Sequence, residues 1–432
     1  MYLLSKSFKT FRSSRSLHTI RTLEPLLLGW GSYLSPFLQD SPLIHDSDHS
    51  VLSSKETTAV ISPSLIDLRK LFKTNNIRDL EVSAVGAGFA HFLISLFNPK
   101  DNNSKVAGVG LNRFSQLGKH TTENPAHVLY SIPGKVSQIS CGREHSMILV
   151  DLEKDLQEVY VSGSNVYGQL GILDSKDSSK KHLNHKFPLG MELSPIRSLK
   201  GFIDHDSKIS QISCGLDHSL ILGDNGKVYA MGWSADGQCG TGETKNVYQP
   251  SLVKGLDNVK VEMIGTSTDF TLALSQNKKL YCWGNGEYRN NMANIEDDKI
   301  LSAINVVTDF GEIKSVAAGG AHSVALNTEG NVFTCGFGAL GLGENNTHFV
   351  EPIQIPSLQN IADIYASTDY CLAKSINNEF FVWGLNNTSE VLGIGERRHA
   401  FEPHKLRFDH LKIDPEYSLS KVALGNSNVF LY

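Results

Sequence analysis

Residues 209–242 read ISQISCGLDHSLILGDNGKVYAMGWSADGQCGTG. In the first half, His218, Leu220 and Leu222 alternate with Ser219 and Ile221. In the second, Val228, Ala230 and Gly232 alternate with Tyr229 and Met231. A period of two marks strands with two distinct faces. Asp224-Asn225-Gly226 between the runs is hairpin chemistry, because Asn and Gly accept the positive φ of a tight turn. The second strand ends in a glycine-rich tail, Gly237, Gly240 and Gly242. Asp217 beside His218 resembles an acid–base pair only superficially, since neighbours on a strand point to opposite faces.

The same unit recurs along the chain. Glycine-ended strands close at Gly31, Gly110, Gly163, Gly232, Gly284, Gly336 and Gly384. The last four lie 52, 52 and 48 residues apart, and in three copies a second glycine follows eight residues on, at Gly118, Gly171 and Gly240. A partner strand recurs seven times, over residues 85–95, 139–149, 212–222, 264–274, 316–326, 364–374 and 422–432. A period near 50 residues with several strands per period predicts an all-β fold, a seven-bladed β-propeller, because one repeat cannot bury both faces of its small sheet. The chain begins its array with a glycine-ended strand and finishes on a partner strand. The two are read as halves of one blade, so that pairing of N- and C-terminal segments closes the ring.

This pattern resembles the regulator of chromosome condensation (RCC) repeat family. The carrying residues are the aliphatic-Gly-x-x-His-Ser strand at Gly142/His145, Gly215/His218 and Gly319/His322, and the strand ending at Gly163 followed by Gly-Gln-Leu-Gly up to Gly171. The resemblance spans nearly all of residues 25–432. It implies the propeller. For function it implies exchange factors, scaffolds or assembly proteins, a range too wide to choose from by fold.

The repeat positions themselves read as structural. The histidine place holds His91, His145, His218 and His322, but Phe270, Tyr370 and Asn428 elsewhere. A metal or catalytic role does not survive phenylalanine at the matching place, so packing plus a hydrogen bond is expected. Asp217, Asp269 and Asp369 precede this place in three copies and are expected to bond nearby backbone amides. The six cysteines form no CxxC pair, and Cys141 and Cys214 occupy equivalent places. Buried free thiols are expected.

No GxxxxGK[ST], HExxH, CxxC or GxSxG stretch is present, and no helix follows the glycine runs as a dinucleotide site requires. The chain is therefore read as no enzyme, with no cofactor and no metal. No apolar run approaches the roughly 18 residues that span a bilayer; peripheral membrane association stays open.

Residues 1–23 carry Lys6, Lys9, Arg12, Arg15 and Arg21 and no acid. Serine is frequent there, and on a helix Leu3, Leu4, Phe8 and Phe11 face away from the basic side. This is the composition of a mitochondrial transit peptide, which predicts a location in the matrix or on the matrix face of the inner membrane. Without these five charges the net charge of −5 becomes about −10, which disfavours a generic grip on nucleic-acid phosphates. Residues 24–432 then form the propeller, interrupted by insertions at 39–80 and 172–208. The first is expected to hold a helix over residues 63–72. The second carries Lys180, Lys181, His182 and Lys186, a candidate partner contact. In the family's nuclear exchange factor a wedge that engages the small GTPase also arises from an insertion in the third unit; the residues here do not match it. The expected function is a mitochondrial scaffold assisting assembly of a respiratory complex or the ribosome through protein partners. The alternative is a guanine-nucleotide exchange factor acting on a mitochondrial GTPase.

Overall fold

Each glycine-ended strand is the third strand of an antiparallel sheet, and seven such sheets are present. The computed structural model describes residues 24–39, 51–53, 58–172, 191–195, 207–292, 295–411, 413 and 419–432. Residues 1–23, read above from their composition as a transit peptide, lie outside these residues. Six blades are consecutive in the chain: blade I (81–133), II (135–195), III (209–252), IV (261–306), V (313–354) and VI (361–405). Blade III shows the plan, with strands Ile209–Cys214, His218–Gly223, Val228–Gly232 and Val247–Leu252 in sequential order. The partner strand of the sequence is thus a hairpin of two strands. Residues 212–222 turn at Gly215-Leu216-Asp217, where Gly215 N donates to His218 O at 2.9 Å.

Blade VII is assembled from both ends of the array. Strands Val422–Leu424 and Asn428–Leu431 continue into Leu28–Ser32, Thr58–Leu65 and Val51–Ser53. Leu28 pairs with Leu431 and Trp30 with Val429, as the expected closure requires. The first insertion differs from expectation. Residues 58–65 are not insertion but the fourth strand of this blade, with Leu28 opposite Leu65 and Gly29 opposite Ser64. The helix is confined to Leu68–Phe72 because the Asp67 side chain caps it, accepting from Arg69 N and Lys70 N. The β-branched run Val60-Ile61 on its N-terminal side favours strand. The second insertion likewise contains an element of the scaffold, strand Met191–Pro195, which is the fourth strand of blade II.

Glycines mark where blades touch. A Cβ on Gly240 would stand 3.0 Å from Trp283, one on Gly341 3.1 Å from Trp383, and one on Gly393 2.6 Å from Trp30. In each case the indole of one blade lies on the loop of the blade before it. Trp30 Nε1 also donates to Val391 O at 2.7 Å, and Trp283 Nε1 to Gln238 O at 3.0 Å. The innermost strands would otherwise expose unpaired backbone toward the axis, a hazard for any sheet edge. Glutamine side chains cover part of it. Gln211 Nε2 donates to Ile264 O at 2.6 Å, and Gln211 Oε1 accepts from Ile264 N at 3.0 Å. Gln138 makes the same pair of bonds with Ser210 O and Ile212 N.

All six cysteines are buried and free, as read from the sequence. No helix among the described residues is long and apolar enough to cross a membrane.

Candidate protein-docking face

The turns between first and second strands converge on the propeller axis at one face, called here the turn face. They are joined blade to blade by backbone hydrogen bonds. Phe89 N donates to Gly142 O, Arg143 N to Leu216 O, Leu216 N to Thr268 O, Gly320 N to Thr368 O and Asn426 N to Gly88 O, all within 2.7–3.1 Å. Between blades IV and V the hydroxyl of Thr268 donates to Gly320 O at 3.1 Å. With the Tyr370 hydroxyl donating to Gly425 O across the boundary of blades VI and VII, the turns form a closed collar around a cavity of about 190 Å³.

Behind the collar the histidines form a second belt. His91 Nε2 meets Ser146 Oγ at 2.8 Å, His145 Nε2 meets Ser219 Oγ at 2.9 Å, and His218 Nε2 meets Thr266 Oγ1 at 3.2 Å, each across a blade boundary. The serines pass the contact on, Ser146 Oγ to Gln116 O and Ser219 Oγ to Gln169 O, both 2.8 Å. Tyr370 fills the same place and donates to Gly425 O at 2.7 Å; Asn428 donates to Ser32 O at 2.5 Å. Gly142, Gly215 and Gly319 exist to admit the ring, since a Cβ there would lie 2.3, 2.1 and 2.3 Å from the Cε1 of the following histidine. Burial lowers the imidazoles to about 4 at His91, His218 and His322 and about 3 at His145. They are neutral groups packed between the blades and hydrogen-bonded across their boundaries.

One contact has the form of a catalytic dyad, His322 Nε2 to Cys371 Sγ at 3.1 Å. Burial pushes the thiol up and the imidazole down. Both partners are therefore neutral, and a nucleophilic thiolate is not generated. Among the described residues no group of three His, Cys, Asp or Glu side chains is placed to hold a metal.

The chemistry that does reach the surface is acidic. Glu144, Asp217, Asp269 and Asp369 occupy one turn position in blades II, III, IV and VI, all half-buried. Asp217 does not bond a local amide as expected; it pairs with the guanidinium of Arg143 in the preceding blade. Burial nevertheless outweighs that cation and raises its carboxyl to about 6. Asp269 is also raised by burial, against a hydrogen bond from the Gln238 side chain. Asp369 is raised by burial. Exposed Phe89, 42% accessible, stands on the collar in the blade I turn, bonded to Gly142 O of blade II. Partly desolvated carboxylates gain most from an incoming cation. A fixed collar carrying them can therefore hold a basic protein surface.

The sequence-predicted contact residues Lys180, Lys181, His182 and Lys186 lie outside the described residues. Their flanks are described: Ile172 and Met191 both border the turn face, and the carbonyl of Ile172 accepts from Asn165 Nδ2 at 3.0 Å. Arg143, Phe89 and Gln238 were missed in the sequence because each acts on a neighbouring blade. The only sequence signal was the recurrence of an acid before the histidine place.

Comparison with known proteins follows the same lines. Residues 158–222 and 225–274 match the Regulator of chromosome condensation (RCC1) repeat, and a second form of that repeat matches residues 209–238 and 313–341. The human RCC1-like G exchanging factor-like protein is 31% identical over 366 residues, covering 78% of this chain and 74% of that one. The crystal structure of human WBSCR16 superposes with a TM-score of 0.75 at 27% identity, covering 94% of this chain and 98% of the other. Yeast RCC1 (Prp20), solved bound to Kap60, gives a TM-score of 0.68 at 18% identity, over 100% of this chain and 95% of that chain, a likeness of fold.

Proposed function

Because the chain belongs to the regulator of chromosome condensation repeat family, we propose that its turn face docks a protein partner, and that this partner is a small GTPase whose nucleotide exchange it promotes. The observation that carries this reading is the arc of half-buried carboxylates, Glu144, Asp217, Asp269 and Asp369, fixed on a hydrogen-bonded collar. Exchange requires no bond chemistry. It requires a surface that binds the nucleotide-free GTPase better than the loaded one. GTPases hold phosphate with a lysine, and a carboxylate offered to that lysine is an alternative partner once the nucleotide leaves. The name of the human relative, with its reference to G exchange, supports the same choice.

The setting we propose is mitochondrial, on the strength of the basic, acid-free residues 1–23. A scaffold that assists assembly of a larger complex is the second reading. It is favoured by the two loop-bearing faces of the blades, Met191 lying opposite Gly163 at the turn face and Pro195 opposite Tyr160 toward the other face.

Release of labelled GDP from small GTPases of the same compartment tests the exchange reading. The wild-type chain should accelerate release, and Asp217→Asn with Asp269→Asn should reduce the acceleration about tenfold or more, one lost charged contact being worth about 1.5–3 kcal/mol. Reversing Lys180, Lys181 and Lys186 to glutamate in the same assay reports on the segment between Ile172 and Met191. No acceleration by the wild type removes the exchange reading. Partners crosslinked to the chain in isolated mitochondria then decide for or against the scaffold, and recovery mainly of nuclear histones would remove both.

A further inference from the structure

Away from the collar, at the outer rim of the turn face, two exposed aromatic rings from adjacent blades meet. Tyr288 follows the third strand of blade IV and Phe337 ends the third strand of blade V. Their centroids are 6.4 Å apart at 32°, and exposed His348 stands edge-on to Phe337 at 6.2 Å. Tyr288 is 42% accessible and Phe337 50%. Beside Phe337, Gly338 has no atom within 4 Å of where a Cβ would stand, so the space next to the ring is open. No packing requirement of the blades accounts for the exposure of these rings, and adjacent large aromatics at a surface are characteristic of contact sites.

The surroundings decide the partner. Glu287 adjoins Tyr288, and the loop returns through Glu296, Asp297 and Asp298. It returns close by: Gly286 N donates to Asp298 O at 2.8 Å, and a Cβ at Gly286 would lie 2.5 Å from Asp297 O. Arg289, the cation of this loop, is turned inward on the carbonyls of Ile295 and Glu296 and on Asp298. Lys299 is held by Asp236 at 2.9 Å. The rim is therefore acidic around an aromatic floor. Aromatic faces attract cations, and the surrounding acids attract them from further away.

We propose that this rim patch binds a basic segment of a protein partner, with an arginine or lysine side chain laid over Phe337 and Tyr288. The patch is separate from the collar, and it holds whichever partner carries the segment, GTPase or not. An acidic segment or a nucleic acid is repelled by the same carboxylates.

The test uses the full chain and a fluorescent peptide of repeated Gly-Arg-Ser units, read by polarisation, beside the same peptide with citrulline for arginine. The arginine peptide should bind about tenfold tighter than the citrulline one. Binding of the arginine peptide should fall about tenfold in the double variant Tyr288→Ser, Phe337→Ser, and its salt dependence should shrink in Glu287→Gln, Asp297→Asn. The melting temperature should not move, because these side chains are exposed. Should the serine variant melt early, Phe337→Leu keeps the apolar area and removes the ring face, and it should weaken binding as well. Equal affinity for the two peptides, or binding unaffected by both ring variants, overturns the proposal.

Discussion

Each structural histidine of this propeller is paid for by a glycine three residues earlier. Gly88/His91, Gly142/His145, Gly215/His218 and Gly319/His322 keep the pairing, whereas Ser267 precedes Phe270 and Ser367 precedes Tyr370. The imidazoles are buried beyond protonation, and this gives the fold a pH dependence of known sign. Their folded pKa values, about 4 or about 3, lie below the unfolded value of 6.5. Below pH 6.5 the unfolded chain therefore binds more protons than the native one. The contribution is complete above 6.5 and is lost as pH falls toward the folded values, at roughly 1.4 kcal/mol per pH unit for each imidazole. Asp217, raised to about 6, acts in the opposite sense between about 4 and 6 and offsets part of the loss. Asp269 and Asp369 are raised as well and add to that offset. Melts recorded from pH 7 to pH 5 should drop steeply, and His218→Gln should flatten the curve. A wild-type melting temperature constant over that range would contradict the belt.

At the level of the strand, legibility depended on whether a signal was local. The glycine-ended strands were readable because Gly232 and its counterparts punctuate one run, and the turn at Asp224-Asn225-Gly226 behaves as read, with Gly226 at φ +81°. The hairpin inside residues 212–222 was read as a single strand, since alternation continues through Gly215-Leu216-Asp217 without a break. Residues 63–72 showed helical spacing at Leu65, Leu68 and Phe72, but pairing with Leu28–Ser32 at the other end of the array claimed Leu65 for a sheet. The carboxylate arc was visible as a recurring letter. Its convergence was not, because it exists only once the blades form a ring. The axial glutamines are another such feature. Gln211→Ala deprives Ile264 of two hydrogen bonds on the channel side and should lower stability by about 1–2 kcal/mol. Gln211→Glu, which keeps the acceptor and loses the donor, should fall between. Chemical denaturation of the three proteins measures the order, and an alanine variant as stable as wild type would show that channel water replaces the amide without loss.

Across the whole molecule the closing blade governs. Val429, Phe430 and Leu431 are fully buried, and the ring of Phe430 lies 5.0 Å from that of Phe92 in blade I. Removing residues 428–432 deletes the strand that joins Leu28–Ser32 to Val422–Leu424. At about 1.5–3 kcal/mol for each buried apolar side chain, the loss is about 5–9 kcal/mol, comparable with the entire stability of a typical domain. The shortened chain should show no cooperative melt, and calorimetry on it decides; a transition at the wild-type temperature would mean that the ring closes without its clasp.

That clasp also sets an order in time. Blades I to VI are built from contiguous chain and can form as it leaves the ribosome, but strand Leu28–Ser32 has no partner from the other end of the array until residues 428–431 emerge. Until then its edge toward residues 428–431 stays unpaired, while Thr58–Leu65 pairs with the other edge. A nascent chain interrupted anywhere after blade I therefore carries a visible mark of incompleteness at its beginning, and only the final strand erases it.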